Sequence, residues 1–270
     1  MTTDTDQSDG ASGNETTSRR RFLAGAGALA VGLGGVGYSA ASDDGTTTGD
    51  GMNGHEFTVR IENVSKMNTL ETSAEGQARN QPVVLSPGAY AIHTEPGAIF
   101  TTGEAAPGNG LEALAEDGMP DALAGSLSES MAVKSSGAFT TPVGADGPGP
   151  LTPGDAYEFT VQAAPGDRLS LATMFVPSND LFVAPDDRGL ALFDGETPVV
   201  GDVTHGLALW DAGTEVNEEP GVGSHQPQRQ MEAGAGTGED GVVRNVAAVA
   251  DGYDYPYVPE FVRVSIDGGM

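Results

Sequence analysis

The chain has 270 residues and a formal net charge of −27, with 39 acidic side chains against 12 basic ones; lysine stands only at Lys66 and Lys134, and cysteine nowhere. The missing thiols exclude disulfides, thiolate zinc sites, iron–sulfur clusters, cysteine nucleophiles and the His–Cys copper site of blue-copper carriers. Scarce Lys and Arg make nucleic acid and anionic membrane poor partners, because phosphate contacts need those side chains.

Taken in chain order, residues 18–23 read Ser-Arg-Arg-Arg-Phe-Leu, followed by a Gly- and Ala-rich apolar run from Ala24 to Val36 and by Ser39-Ala40-Ala41. That order is the order of a twin-arginine signal: charged start, modest apolar stretch, small-residue cleavage site. The apolar run is short and glycine-rich for a membrane span, which needs ~20 apolar residues, so membrane attachment is expected only through an uncleaved signal. The twin-arginine route exports folded protein. It suits a chain whose excess carboxylate is the composition of proteins that stay soluble in concentrated salt, where screening removes self-repulsion. The expected organisation is a signal segment at 1–41, a polar Gly/Thr/Asp linker at 42–53 and one β domain at 54–268.

Residues 55–65 alternate Phe57, Val59 and Ile61 with polar neighbours, the period of a half-buried strand. Residues 82–93 predict a strand pair broken at Pro87-Gly88. Helical spacing is confined to 109–118 and 120–127, where Gly118 serves as a stop and Pro120 as a start. Residues 155–164 and 167–177 are apolar runs joined by Pro165-Gly166-Asp167 and predict a hairpin. Residues 205–213 and 260–267 supply later strands, and 135–154 and 218–242 predict long loops. Many short strands with a small helical insert favour an all-β, antiparallel sandwich.

Hydrolytic motifs are missing. No Gly-x-Ser-x-Gly elbow occurs, and His55, His93, His205 and His225 fit no His-Glu-x-x-His zinc pattern. His93 and His205 predict hydrogen-bonded rim residues. Glycines 32, 34, 37 and 236, 238, 241 fit a dinucleotide pattern but lack its strand–turn–helix context. Asn63-Val64-Ser65 is an N-glycosylation acceptor pattern, compatible with export.

Two acidic stretches stand out because apolar strands hold them. In residues 175–183, Asn179 and Asp180 interrupt an apolar run; in residues 207–218, Asp211 directly follows a strand, Gly213 turns the chain and Glu215 comes next. Calcium takes six to eight oxygens from carboxylates, amides and carbonyls, and loops leaving one end of a sandwich can bring Asp180, Asp211 and Glu215 to one point. The competing reading is solvated acidic surface, common on such a chain. Crowded acids beside Trp210 and Phe182 favour the cation, since each raises the other's pKa until a cation neutralises them. No Lys or Arg follows in the sequence before Arg229.

The segments LSLATMFVPSNDLFVAP and WDAGTEVNEEPG, preceded by GLEALAEDG, resemble the spondin amino-terminal-type domain, found in F-spondin and in secreted bacterial and archaeal proteins. The likeness runs from about residue 55 to 267 and is most specific at Asn179, Asp180 and Phe182 and at Asp211 to Glu215. The resemblance implies an eight-stranded antiparallel β-sandwich, akin to calcium-dependent membrane-binding domains, with one bound Ca2+ on Asp180, Asp211 and Glu215; Asn179, Asn217 and Glu218 are secondary candidates. The expected function is an exported, non-enzymatic, calcium-binding domain of a haloarchaeal cell surface. Its expected partner is a surface glycoprotein or polysaccharide, engaged in recognition or adhesion. The alternatives are an exported metal-dependent hydrolase and a purely structural envelope protein.

Overall fold

A computed structural model describes residues 54–269. The predicted signal segment (1–41) and linker (42–53) lie outside them. Among the described residues no helix is long and apolar enough to cross a membrane.

The long strands are β1 (His55–Asn63), β2 (Leu85–His93), β3 (Val133–Phe139), β4 (Ala156–Ala163), β5 (Arg168–Phe175), β6 (Leu181–Pro185), β7 (Leu207–Asp211) and β8 (Val262–Gly268). All their pairings are antiparallel, so the fold is all-β in class. One sheet has the order β8-β1-β4, extended beyond β8 by the two-residue strand 201–202. The other runs β7-β6-β5-β2-β3, with 244–245 added beside β7 and 190–191 beside β5.

The alternation in β1 does what its period predicts: Phe57, Val59 and Ile61 are fully buried. They join Leu85, Leu171, Phe175 and Val183 of the other sheet in one apolar cluster, so the two sheets share a core. A second cluster lies between the longer sheet and helices α1 (Leu111–Asp117) and α2 (Asp121–Glu129), joining Leu111, Leu114 and Leu123 to Phe182 and Trp210. Gly118 ends α1 in the left-handed region at φ 68°, its N–H donating to the Leu114 carbonyl and that of Met119 to the Ala113 carbonyl.

Four expectations are corrected. The runs around Pro165-Gly166-Asp167 are β4 and β5, but they do not pair: β4 pairs with β1, and β5 with β2 and β6. The turn is a corner between sheets, held where the Asp167 carboxylate accepts from the Ala164 N–H (2.9 Å) and from Lys134. A corner and a hairpin use the same turn residues, so the turn alone does not choose the partner. Pro87-Gly88 does not break residues 82–93 into two strands; it lies within β2, at an irregularity in the register with β5. Residues 135–139 are not loop but part of β3, an edge strand whose mostly polar sequence carries no alternation. His93, expected at a rim, is fully buried, with Nε2 2.8 Å from Ser170 Oγ and Nδ1 2.7 Å from the Glu95 carbonyl.

Asn63 is 1% exposed and closes the gap between the sheets. Its amide donates to the carbonyls of Val83 (2.9 Å) and Leu151 (2.8 Å), and its Oδ1 accepts from Ser65. The acceptor pattern at 63–65 is therefore a structural pin in the folded protein.

At Gly88 an added Cβ would sit 2.2 Å from the Ala172 carbonyl oxygen and 2.3 Å from the Phe139 ring. Backbone cannot step aside as a flexible side chain can, so Gly88→Ala is expected to cost about 2–3 kcal/mol, measured as a lowered urea midpoint at unchanged slope.

Candidate metal centre

The site forms where two turns leave neighbouring strands at one end of the longer sheet. The first is the turn 176–180 between β5 and β6. Ser178 Oγ donates to the Phe175 carbonyl (2.6 Å) and accepts from the Leu181 N–H (3.1 Å), closing a tight bend that buries Asn179 and Asp180. The second is the stretch 211–218 at the end of β7. Asp211 Oδ1 accepts from the Gly213 N–H (2.7 Å), an Asx turn, and Gly213 sits at φ 69° with Val242 backbone packed against it. A side chain there would meet Val242 N at 2.6 Å, so the turn requires glycine.

Backbone then sews the turns together. The Ala212 N–H donates to the Asp180 carbonyl (3.2 Å), and the N–H groups of Thr214 (3.1 Å) and Glu215 (3.2 Å) both donate to Asp180 Oδ2. Asn179 is the clamp: its amide donates to the Val216 carbonyl (2.9 Å) and to Glu215 Oε2 (3.3 Å), and its Oδ1 accepts from the Glu218 N–H (3.1 Å).

Asp180, Asp211 and Glu215 thus lie in one place, all buried at 0%, 0% and 3% exposure. Their carboxylates differ in what they face. Asp180 Oδ1 is buried without a hydrogen-bond partner, as is Asn217 Oδ1. Asp211 Oδ2 accepts from Asn217 (3.1 Å) and from Nε of Arg244 (3.0 Å). Glu215 is turned aside: Oε1 accepts from the Gly236 N–H (2.8 Å) and Oε2 from Asn179. Among the described residues, no three His, Asp or Glu side chains stand at metal-binding spacing.

Two features escaped the sequence reading. Arg244 arrives on the short edge strand beside β7, 33 residues after Asp211, and pairs with Asp211 and with Glu239 (3.2 Å). The acids therefore do not wait for Arg229, which instead bonds the Gly221 carbonyl and Gln226. The second feature is Glu116 on α1, buried and near enough to Glu215 for that carboxylate to act on it. Neither carries a local signal, since both reach the site through tertiary folding.

Charge is crowded here. Burial, with the neighbouring Asp211 carboxylate next, pushes Asp180 well above the ordinary carboxyl range, against the two N–H donors on its other oxygen. Burial also raises Glu215, against the bonds from Asn179 and Gly236, and raises Glu239, with Asp211 adding to it. Asp180, Asp211 and Glu239 all act on Arg244, a single guanidinium.

The orphaned oxygens provide a test of fit. A buried carboxylate oxygen without a donor is costly, and so are like charges side by side, unless a cation offsets both. Every donor atom offered is a hard oxygen, from Asp180, Asp211 and the Asn217 amide, with Glu215 adjacent; this is a donor set suited to calcium or a similar cation. Arg244 offsets part of the charge and leaves Asp180 Oδ1 unanswered.

Glu116 gives a pH signature. Burial first, then the nearby carboxylates of Glu215, Glu112 and Asp117, raise it to about 7, against the Thr214 hydroxyl. The folded chain thus holds this proton more tightly than the unfolded chain. Its stabilisation is complete below the ordinary carboxyl value of 4.5 and is lost as pH rises to about 7. In chelator and molar KCl, the thermal midpoint is expected to fall across that window, and Glu116→Gln to make the fall shallower.

No protein-family model matches the chain, and no curated protein matches it.

Proposed function

We propose that the chain is an exported, non-enzymatic domain of the spondin amino-terminal type, stabilised by one calcium ion. In this reading the three long strands of one sheet and the five of the other are the eight strands of the sandwich. Asp180 and Asp211 are the charged ligands, Asn217 supplies a neutral oxygen and Glu215 the third carboxylate. The observation that carries the reading is the fully buried, unpartnered Asp180 Oδ1 beside a second carboxylate.

The ion would supply charge neutralisation and tie the 176–180 turn to the 211–218 turn. Asn179, Gly213 and the N–H groups of Thr214 and Glu215 preorganise those oxygens without it. Recognition of a surface glycoprotein or polysaccharide falls to the surrounding loop surface. In molar salt such recognition relies on apolar, hydrogen-bonded or metal-bridged contacts, since bare charge is screened within about 3 Å.

A metal-dependent hydrolase is the second reading, favoured by one feature. His225 Nδ1 lies 2.6 Å from Glu218 Oε1, and Glu218 is itself bonded to Asn179. Against the burial that would raise it, bonds from the His225 N–H and ring hold Glu218 below the ordinary range. An oriented imidazole near a cation is what a general base requires.

Heat unfolding with calcium titration, in molar KCl, tests the first reading. At calcium a hundredfold above its dissociation constant the midpoint is expected to rise by about 5–10 °C. Asp180→Asn is expected to raise the midpoint in chelator, by removing an uncompensated charge, and to abolish most of the calcium gain. Asp211→Ala should lose the gain as well, and His225→Ala should keep it. A calcium gain in Asp180→Asn equal to the parent's would refute the site.

A further inference from the structure

At the same end of the two-sheet frame, the segment after β1 and the entry to β8 enclose a surface cleft of about 420 Å3. It is lined by Val64, Lys66, Asn68, Thr69, Pro259, Glu260 and Arg263. That volume falls within the ~300–1,000 Å3 of small-molecule sites.

Its charge is unlike the rest of the chain. On a protein with 39 acids and two lysines, one lysine and one arginine share this wall. The other lysine, Lys134, is taken by Asp167; Lys66 is exposed, and no carboxylate pairs with its ammonium among the described residues. Arg263 is half exposed, pairs with Glu62 at a long 3.6 Å and acts also on Asp202. The one acid in the lining, Glu260, is already engaged, since its Oε2 accepts from the Tyr257 N–H (2.8 Å) at the start of the short helix 258–261. The lining therefore sets two cations, Lys66 and Arg263, against the one carboxylate of Glu260, with Glu62 on Arg263, and leaves the Lys66 ammonium as the charge that no carboxylate pairs among the described residues.

The remaining lining suits a sugar. Asn68 supplies amide donors and an acceptor, and Thr69 a hydroxyl. Flanking the pocket in sequence, Met67 is 71% exposed and Tyr257 79%, which places an apolar side chain and an aromatic face near the two cations. Arg presents a planar fork that fits a carboxylate on two N–H groups, and Lys a point charge.

We infer that this cleft binds a carboxylate-bearing sugar unit of an anionic polysaccharide, with Lys66 and Arg263 on the carboxylate and Asn68 and Thr69 on the ring hydroxyls. The inference builds on the recognition part of the reading above and names its ligand; it does not depend on the metal.

The test uses the full chain in chelator, so that calcium bridging by the sugar acid plays no part, at several KCl concentrations. The probes are oligogalacturonate, the uncharged galactose oligomer of equal length, and acetate as competitor. Oligogalacturonate is expected to bind saturably and the neutral oligomer at least tenfold more weakly. Lys66→Gln and Arg263→Gln should each weaken binding about tenfold, the loss of one charge-assisted hydrogen bond. Asp180→Asn should bind like the parent, which separates failure of this site from failure of the calcium reading. Equal binding of both oligomers, full displacement by acetate at matched carboxylate concentration, or undiminished binding by both variants of correct melting behaviour would overturn the proposal.

Discussion

The arrangement around Asp180 is the constraint on which the rest of this structure turns. A carboxylate has been carried to zero exposure at a strand end, one oxygen held by two backbone N–H groups and the other facing no donor. Burial of that kind is unfavourable by several kcal/mol unless a positive group answers the charge or the carboxyl takes up a proton. Arg244 answers Asp211, next door, and cannot satisfy both acids in full. The two turns, the Asn179 clamp and the glycine at 213, backed by the helix-bearing second core, hold the acid in that place.

The frame supplies rigidity for this. Asp180 and Asp211 are cross-strand neighbours of a kind: Asp211 pairs with Leu181 in the register of β7 and β6, and Asp180 is the residue before. Behind them Trp210 and Phe182 stand opposite one another, with Phe100 tilted against the Trp210 ring at 4.9 Å and edge-on to Phe182 at 5.4 Å. The Trp210 indole donates to the Ala184 carbonyl (3.1 Å), so even the polar atom of that apolar wall is satisfied. Low polarity behind the acids keeps their mutual repulsion from being dissipated, which is why the pair is electrostatically strained rather than merely acidic.

What the sequence made legible followed from period and punctuation. The alternation of Phe57, Val59 and Ile61 located β1, and Leu111, Leu114 and Gly118 located the first helix with its stop. The clustering of Asp180, Asp211 and Glu215 was legible because two apolar runs bracket them, so the strand ends had to deliver the acids near one another if the strands paired. What stayed hidden was long-range. Nothing local distinguishes a corner from a hairpin at Pro165-Gly166-Asp167, a bulge from a break at Pro87-Gly88, or a polar edge strand such as Val133–Phe139 from a loop. Arg244 and Glu116 were invisible for the same reason, and so was the direction of the Glu215 carboxylate, which depends on where the Gly236 N–H falls. The eight-strand count, the calcium and the export route stand as proposals from resemblance and motif.

The pin at Asn63 has a bearing on biogenesis. An oligosaccharyl transferase needs the side-chain amide presented in an open, extended loop, and here both amide protons are spent on carbonyls inside the wall between two sheets. Attachment is feasible only on a chain that has yet to fold. A sugar found on this asparagine would therefore mark a protein threaded across the membrane as a loose polypeptide, and a bare asparagine on secreted material is what passage in finished form requires. If the chain is exported as proposed, one side chain in the first strand would keep a record of whether folding or translocation came first.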